Sequence, residues 1–180
     1  MNPIKLTYES QKEIYDFLMR NGEVTYANNH STQSRKALLL SCASYFEMKI
    51  IDVINDIMHI SDCILREKFI YFQALNRRYH SLFKWDANNA NAFFSLFGSD
   101  FKDFMTDKVK HDDLLKESIK SFLLIGDLRN QLVHNNYTSF SLQLTDDEVY
   151  SNYENALIFV NALKGYFQEF KQSVDEETSS

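Results

Sequence analysis

Residues that interrupt secondary structure are scarce in this sequence. Its 180 residues include one proline, Pro3, and four glycines. Helix interiors tolerate both residues poorly, whereas loop-rich and β-rich domains use them at turns. With 44% hydrophobic residues, fifteen Phe and ten Tyr, the chain has enough apolar material for a core. The composition predicts a mostly helical domain and argues against disorder over most of its length.

Cysteines and long apolar runs are also few. Neither Cys42 nor Cys63 belongs to a Cys-x-x-Cys pair, and Cys42 has the spacing of a small residue in a helix core. No apolar run is long enough to span a bilayer, and the first twenty residues carry six charged side chains, unlike a secretory signal. We therefore expect a cytoplasmic protein with reduced thiols and no membrane contact.

Several motifs that carry chemistry are missing. The sequence has no GxGxxG, no GxxxxGK[ST] and no GxSxG pattern. Its five histidines never occur as HExxH or with cysteines at zinc spacing, so we expect no metal site and no cofactor. The net charge of −6 argues against a broad basic face for nucleic acids but is compatible with a local basic cleft.

Apolar periodicity predicts where the helices lie. A helix at residues 7–19, stopped by Gly22, is followed by a polar loop at 26–34 and a long helix at 33–60. The long helix repeats apolar residues at steps of three and four, namely Leu39, Ala43, Phe46, Ile50, Val53, Ile57 and Ile60. Its charged residues are predicted to lie off this stripe, and they are Lys36, Lys49, Asp52 and Asp56.

Two further helices are predicted in the second half. Residues 112–133 place Leu115, Ile119, Phe122, Gly126 and Val133 on one face, and Asn135 or Asn136 is expected to end the helix in the left-handed conformation. The last helix starts at a capping box made by Thr145 and Glu148. Its apolar stripe comprises Val149, Tyr153, Ala156, Val160, Leu163, Phe167 and Phe170.

The middle segment, residues 61–110, is less regular. It contains a candidate helix with an aromatic side at 66–83 and two short helices joined at Gly98. The acidic tail at 171–180 is predicted to be disordered. Together the stripes predict one all-α domain over residues 1–170, an up-and-down helical bundle with additional short helices in its middle segment.

One stretch departs from simple amphipathic patterning, IGDLRNQLVHNNY at residues 125–137. Arg129 shares its helix face with Phe122, Gly126 and Val133, although arginine is rarely buried unless it is paired. One explanation is an ion pair with a neighbouring carboxylate, or an aliphatic stem packed at the edge of the core. The other is an arginine that meets an anion in a cleft, where Gly126 allows a close approach.

His134 lies five residues after Arg129, about 140° further round an ideal helix. Both side chains reach one place only if the helix breaks at His134 or if two copies of the chain share a site across a twofold axis. Asn130 precedes His134 by one turn and could orient its imidazole. The favourable interaction of a histidine with a helix C-terminus is the simpler explanation of His134 alone.

The pattern Arg-Asn-x-x-x-His is expected roughly 0.014 times by chance at this composition. RNQLVH resembles the RNxxxH signature of HEPN domains (higher eukaryotes and prokaryotes nucleotide-binding). RKALLLSCASYFEMKIIDVI resembles the long early helix of the RiboL-PSP-HEPN and MAE-like branches, and FFSLFG with FKDFM resembles their middle segment. The resemblance extends over roughly residues 10–170.

This resemblance implies a helical bundle that dimerises through its motif helices and cleaves RNA without a metal at the dimer interface. The residues carried over are Arg129, Asn130 and His134. Some HEPN toxins also have a tyrosine two residues after the histidine. Asn136 stands there in this chain and Tyr137 follows it, so Tyr137 is only a supporting candidate.

The implied chemistry needs no external nucleophile, because the ribose 2′-OH attacks the adjacent phosphate. A histidine transfers protons near neutral pH, and an arginine stabilises the charge of the transition state. The expected products are a 2′,3′-cyclic phosphate or 3′-phosphate and a 5′-OH. The implied setting is a toxin–antitoxin or anti-phage system, with RNA as substrate, a second copy of the chain, and an antitoxin or defence protein as partners.

Other charged residues are weaker candidates. Glu47 flanks the stripe of the long helix and could pair with Arg129 or orient His134, or could be a solvated carboxylate. Arg35–Lys36 and Arg77–Arg78 could contact an RNA backbone or be solvated surface charge. The acidic balance also keeps open a second hypothesis, a non-catalytic HEPN-like module that binds RNA, nucleotide or a protein.

Overall fold

The computed structural model describes residues 2–58, 68, 71–72 and 79–178, and within them it contains α-helices and no strand. The predicted all-α class is therefore confirmed. The helices are α1 (Pro3–Arg20), α2 (Val24–Met58), α3 (Asn91–Phe94), α4 (Ser99–His111), α5 (Asp113–His134) and α6 (Asp146–Thr178), with 3₁₀ turns at Tyr79–Ser81 and Ser95–Phe97. None of these helices is apolar over a length that could cross a membrane.

The four long helices form an up-and-down bundle. Helices α2 and α6 run in the same direction, because their contacts advance along both: Ser34–Asp146, Tyr45–Tyr153 and Asp56–Lys164. Helices α1 and α5 run the opposite way, as their contacts with α6 and α2 show: Tyr8–Asp147, Asn2–Tyr153, Ser121–Asn155, Lys36–Tyr137 and Phe46–Phe122. The C-terminal end of α5 therefore lies beside the early part of α2.

The core between these helices is rich in aromatic rings. Phe122 on α5 is central, because the centre of its ring lies 5.6 Å from that of Phe46 of α2 and 5.4 Å from that of Phe159 of α6. The predicted stripe of α6 is confirmed from Val149 to Leu163, whose five apolar members are all buried. Cys42 is also buried, as predicted, and its burial raises the pKa of the thiol to about 12.

The connection between α1 and α2 differs from the prediction. The polar loop expected at 26–34 is wrong, because α2 already begins at Val24 and only residues 21–23 join the two helices. Ala27 is fully buried, and the His30 imidazole lies 3.2 Å from the Gln11 carbonyl oxygen of α1. Packing against α1 therefore outweighs the weak helix propensity of Asn, Ser and Thr.

The ends of α1 follow local rules. Its start is Pro3 rather than residue 7, because the Asn2 side chain accepts a hydrogen bond from the Ile4 amide and proline suits the first turn. Gly22, the predicted stop, follows the helix end with a φ of 76°.

The predicted capping box forms at the start of α6. The Thr145 amide and Glu148 Oε2 are 2.8 Å apart, and the Glu148 amide and Thr145 Oγ1 are 3.1 Å apart.

The end of α5 departs from the sequence pattern in two ways. Asn135 caps the helix in an extended conformation, φ −98° and ψ 169°, and not in the predicted left-handed one. Val133 is 51% exposed, whereas its neighbour Leu132 is buried, so the apolar stripe does not include Val133 as predicted. The last turn of α5 thus presents an apolar residue to solvent.

Two expectations concern the middle segment and the tail. The hinge at Gly98 is confirmed, because the residue has a φ of 103° between the short helical segment at 91–97 and α4. The candidate helix at 66–83 lies mostly outside the described residues, as do Ile60 and Cys63. Residues 171–178 were expected to be disordered but continue α6 as a helix.

Trp85, in the segment after residue 79, packs closely against α5 at Gly126. A Cβ atom built on Gly126 would lie 2.0 Å from Cε3 and Cζ3 of Trp85. The indole is itself buried and packs against Phe83 at 5.0 Å and Phe122 at 5.7 Å. Only a residue without a side chain therefore allows Trp85 to lie flat against this helix.

Gly126→Ala is expected to destabilise the fold by about 1–3 kcal/mol, because overpacking of Trp85 outweighs the better helix propensity of alanine. Gly165→Ala is the matched control: it lies in α6 with nothing within 4 Å of a Cβ, and should stabilise the fold by about 0.5–1 kcal/mol. Urea denaturation followed by circular dichroism measures both. Equal effects of the two substitutions would contradict the close contact with Trp85.

Candidate active site

Arg129 occupies the penultimate turn of α5 and is half-buried. Its Nη1 donates a hydrogen bond to Oδ1 of the adjacent Asn130, at 3.2 Å. The guanidinium forms no ion pair with a carboxylate among the described residues, so the predicted alternative of a salt bridge to a neighbouring helix is not found there. Among the described residues, the guanidinium hydrogen-bonds to a neutral amide and to no carboxylate.

His134 is the last helical residue of α5 and is exposed. The helix runs without interruption through both motif residues, and Asn135 closes it with a hydrogen bond from its amide to the Gln131 carbonyl oxygen. A break at His134, one of the two arrangements that would bring the side chains together, is therefore absent. Among the described residues, Asn130 forms no hydrogen bond with the imidazole, and its amide oxygen accepts from Arg129.

Glu47 has a different neighbour from those expected. Its Oε2 lies 3.9 Å from Nε2 of His80, which belongs to the 3₁₀ turn at Tyr79–Ser81. Both side chains are a little over one third exposed. Glu47 therefore faces a histidine that sequence reasoning did not select, rather than forming an ion pair with Arg129 or a hydrogen bond with His134.

His80 connects Glu47 to the RNxxxH motif electrostatically. Its pKa lies below the ordinary value, first because burial disfavours the charged form and second because the Arg129 guanidinium is close. Glu47 opposes this shift, and the charge of His134 adds a smaller lowering. Within one protomer, Glu47, Arg129 and His134 thus all act electrostatically on His80, and we call these four residues the polar cluster.

His80 is held in place through its backbone and its ring. The indole Nε1 of Trp85 donates a hydrogen bond to the His80 carbonyl oxygen at 2.8 Å, and the Tyr79 ring meets the imidazole edge-on at 5.2 Å. Trp85 in turn rests on Gly126. No short motif joins residues 79–85 to the α5 signature, although His80 beside aromatic residues five positions before Trp85 was a detectable signal for a packed turn.

Lys36 is buried, contrary to its predicted place off the stripe of α2. Its side chain is 1% exposed, and Nζ donates a hydrogen bond to the Tyr137 carbonyl oxygen at 2.8 Å. The same ammonium lies 5.1 Å from the centre of the Tyr137 ring. The reason for burial is that the loop after α5 folds over the lysine and supplies its partners.

The burial of Lys36 changes the interpretation of the two basic pairs, Arg35–Lys36 and Arg77–Arg78. Lys36 cannot contact an RNA backbone, and it is not solvated surface charge either. Its neighbour Arg35 is half-buried, with Nη2 3.4 Å from the Thr32 hydroxyl. Arg77 and Arg78 lie outside the described residues. Within the described ranges, no group of three or more His, Cys, Asp or Glu side chains is arranged to hold a metal ion.

The helical bundle and a match to a family of sequences define the class of this chain. The sequence model of the RiboL-PSP-HEPN family matches residues 7–169, and the chain belongs to this family. No curated protein and no solved structure gave a match. The family is one of HEPN domains, which are all-α modules of ribonuclease-like or nucleotide-binding type.

The contacts of Tyr137 predict that its ring contributes to stability and that its hydroxyl does not take part in chemistry. Its hydroxyl forms no hydrogen bond within the described ranges, whereas its ring and carbonyl oxygen both contact Lys36. Tyr137→Phe should therefore leave stability and any RNA cleavage unchanged, while Tyr137→Ala should cost about 0.5–1 kcal/mol through loss of the ring contact. Thermal denaturation and a cleavage assay on both variants measure this. Loss of cleavage in Tyr137→Phe alone would instead assign chemistry to the phenol.

Proposed function

We propose that this protein is a metal-independent endoribonuclease in which Arg129 and His134 act on RNA. Membership of a HEPN domain family and the RNxxxH sequence at the end of α5 support the proposal. The observation that carries it is the state of Arg129. A half-buried guanidinium that meets a neutral amide and no carboxylate among the described residues is suited to receive an anion.

In the proposed reaction, the ribose 2′-OH attacks the adjacent phosphorus and the 5′-oxygen leaves. His134, exposed at the tip of α5, moves the proton that the attacking or departing oxygen must lose or gain. Arg129 stabilises the extra negative charge on the phosphate oxygens, and Asn130 holds one of its Nη atoms. The products are a 2′,3′-cyclic phosphate and a 5′-hydroxyl end.

The site is proposed to be completed by a second copy of the chain. Because α5 is unbroken, Arg129 and His134 keep their separation of about 140° around the helix axis. Val133 beside them is 51% exposed, an apolar side chain next to the motif on the last turn. Two α5 helices that meet through this turn would bury Val133 and place Arg129 of one protomer near His134 of its partner.

The proposed setting is the cytoplasm, in a toxin–antitoxin or anti-phage system. A nuclease that acts on its own cell's RNA needs a partner that restrains it, so an antitoxin or defence protein is the proposed binding partner. The net charge of −6 favours recognition through a local site rather than a broad basic face. The same charge is the specific observation behind the second candidate, a HEPN-like module that binds RNA, nucleotide or protein without cleaving it.

RNA cleavage in excess EDTA is the direct test. Wild type should cut at least one of several structured and single-stranded RNAs, leaving 2′,3′-cyclic phosphate ends, because the nucleophile is the RNA's own hydroxyl. Arg129→Ala and His134→Ala should each lower the rate by about a hundredfold or more, the scale for loss of a charged donor or a general acid–base group.

His111→Ala is the matched control for that assay, because His111 is exposed on α4 beside Asp107 and remote from the end of α5. It should cleave as wild type does. Intact RNA after incubation with wild type, or equal cleavage by Arg129→Ala and His134→Ala, would contradict the nuclease and leave the binding module.

Val133→Glu tests the shared site separately. A carboxylate at this apolar position should turn a dimer into a monomer and abolish cleavage while the helix content stays unchanged, because Val133 is exposed in the single chain. Leu114→Glu is the control, since Leu114 is 58% exposed at the opposite end of the same helix. Light scattering with size exclusion gives the mass of each variant. A wild-type monomer that still cleaves RNA would show that one chain suffices.

A further inference from the structure

The nuclease proposal gives no role to His80, although this side chain lies within the polar cluster. Its Nδ1 is buried and has no hydrogen-bond partner, whereas Nε2 lies on the side that faces Glu47. The side chain as a whole is 37% exposed. Because Nδ1 is buried, Nε2 is the ring nitrogen through which His80 could contact a ligand.

The two nitrogens determine which form of the ring is stable. A proton on Nδ1 would be a buried donor without an acceptor, which is costly. A proton on Nε2 instead lies on the side of the ring where the Glu47 carboxylate is, with 3.9 Å between Nε2 and Oε2. The neutral ring with Nε2–H is consequently the favoured tautomer, and the imidazolium is disfavoured because it needs a proton on Nδ1 as well.

Taken together, the groups around His80 also favour the neutral ring. The groups that face the ring are Glu47 from α2, Arg129 and His134 from α5, and Tyr79 from its own turn. Burial, Arg129 and, to a smaller extent, His134 lower the pKa of His80, whereas Glu47 raises it. Tyr79 adds no charge, because its own burial raises the pKa of the phenol. The lowered pKa favours the neutral imidazole at pH 7.

We propose that His80 is a neutral hydrogen-bond donor for a phosphate oxygen of RNA, in the same cluster as Arg129, with Glu47 favouring the proton on Nε2. The inference rests on the proposed nuclease site and deepens it. The 3.9 Å between Nε2 and Glu47 Oε2 is longer than a hydrogen bond, so the Nε2–H remains available to a second acceptor. Arg129 offsets the carboxylate's repulsion of an incoming phosphate.

This role differs from proton transfer. A general acid would need the imidazolium, and a general base would need a free lone pair on the accessible Nε2; the buried Nδ1 opposes both. His134 moves the proton in the proposed site, and His80 only donates. An amide N–H can therefore replace the His80 imidazole, whereas nothing without a titrating group can replace His134.

The first experiment needs no RNA. Nitrogen-15 NMR of the wild-type imidazoles, with His80→Gln to assign the signal, should show the Nε2–H tautomer at pH 7 and a midpoint below that of an ordinary histidine. A charged ring at pH 7, or a proton on Nδ1, overturns the inference whether or not the protein cuts RNA.

The second experiment compares two substitutions in the cleavage assay. His80→Ala should lower kcat/KM by about ten- to a hundredfold, the scale of one hydrogen bond to a charged group. His80→Gln, which keeps an N–H near the Nε2 position, should retain most of the activity and the same pH profile. Equal loss in the two variants indicates proton transfer and overturns the donor role, as does full activity in His80→Ala.

Binding of an RNA with 2′-O-methyl groups, followed by fluorescence anisotropy, separates this inference from the nuclease itself. His80→Ala should weaken binding and His80→Gln should not, with His111→Ala as the control. If wild type and His80→Gln bind the methylated RNA more tightly than His80→Ala does, but wild type leaves ordinary RNA uncut, the nuclease proposal fails and the donor role of His80 stands. If wild type binds no RNA, both fail.

Discussion

The contact between Gly126 and the indole of Trp85 is the constraint on which the arrangement of this site depends. The ring occupies the volume that any Cβ at residue 126 would need. From that position Trp85 donates to the His80 carbonyl oxygen and packs beside Phe122, so it joins the 79–90 segment to the aromatic core and to α5. The turn that carries His80 is thereby fixed against the helix that carries Arg129, although some fifty residues separate them in sequence. The close approach of Trp85 to α5 that Gly126 allows, rather than a polar bond between them, therefore sets the position of His80 relative to Arg129.

Helix α2 also supports the end of α5, because it contacts both the loop that follows α5 and the turn that carries His80. Lys36 is buried under the loop that follows His134 and binds the Tyr137 carbonyl oxygen, whereas Glu47, about three turns further along, faces His80. A lysine without a carboxylate partner in this contact is stabilised by a backbone dipole and an aromatic ring. The loop after α5 is consequently tied to the same rigid helix as the cluster, and the exposed motif residues project from a well-supported end.

Much of the fold was predictable because apolar periodicity and local caps determine it. The stripe of α6 and the Thr145–Glu148 box follow from spacing alone. The polar stretch at 26–34 failed because its helix is stabilised by packing on α1, which a local pattern does not contain. Lys36 failed for the same reason: its partners lie a hundred residues away. In the site, the motif in α5 was visible as a contiguous pattern, but His80 was not, because its place depends on the tertiary contact of Trp85 with Gly126.

Trp85 is the only tryptophan in the chain. Indole emission is sensitive to the polarity around the ring, and here the ring lies between the core and the end of α5, with one edge near the polar cluster. The intrinsic fluorescence of this protein therefore comes from a single known location and requires no attached label. Any event that moves α5 against the 79–90 segment, including assembly through α5, will be recorded by a chromophore already built into the contact.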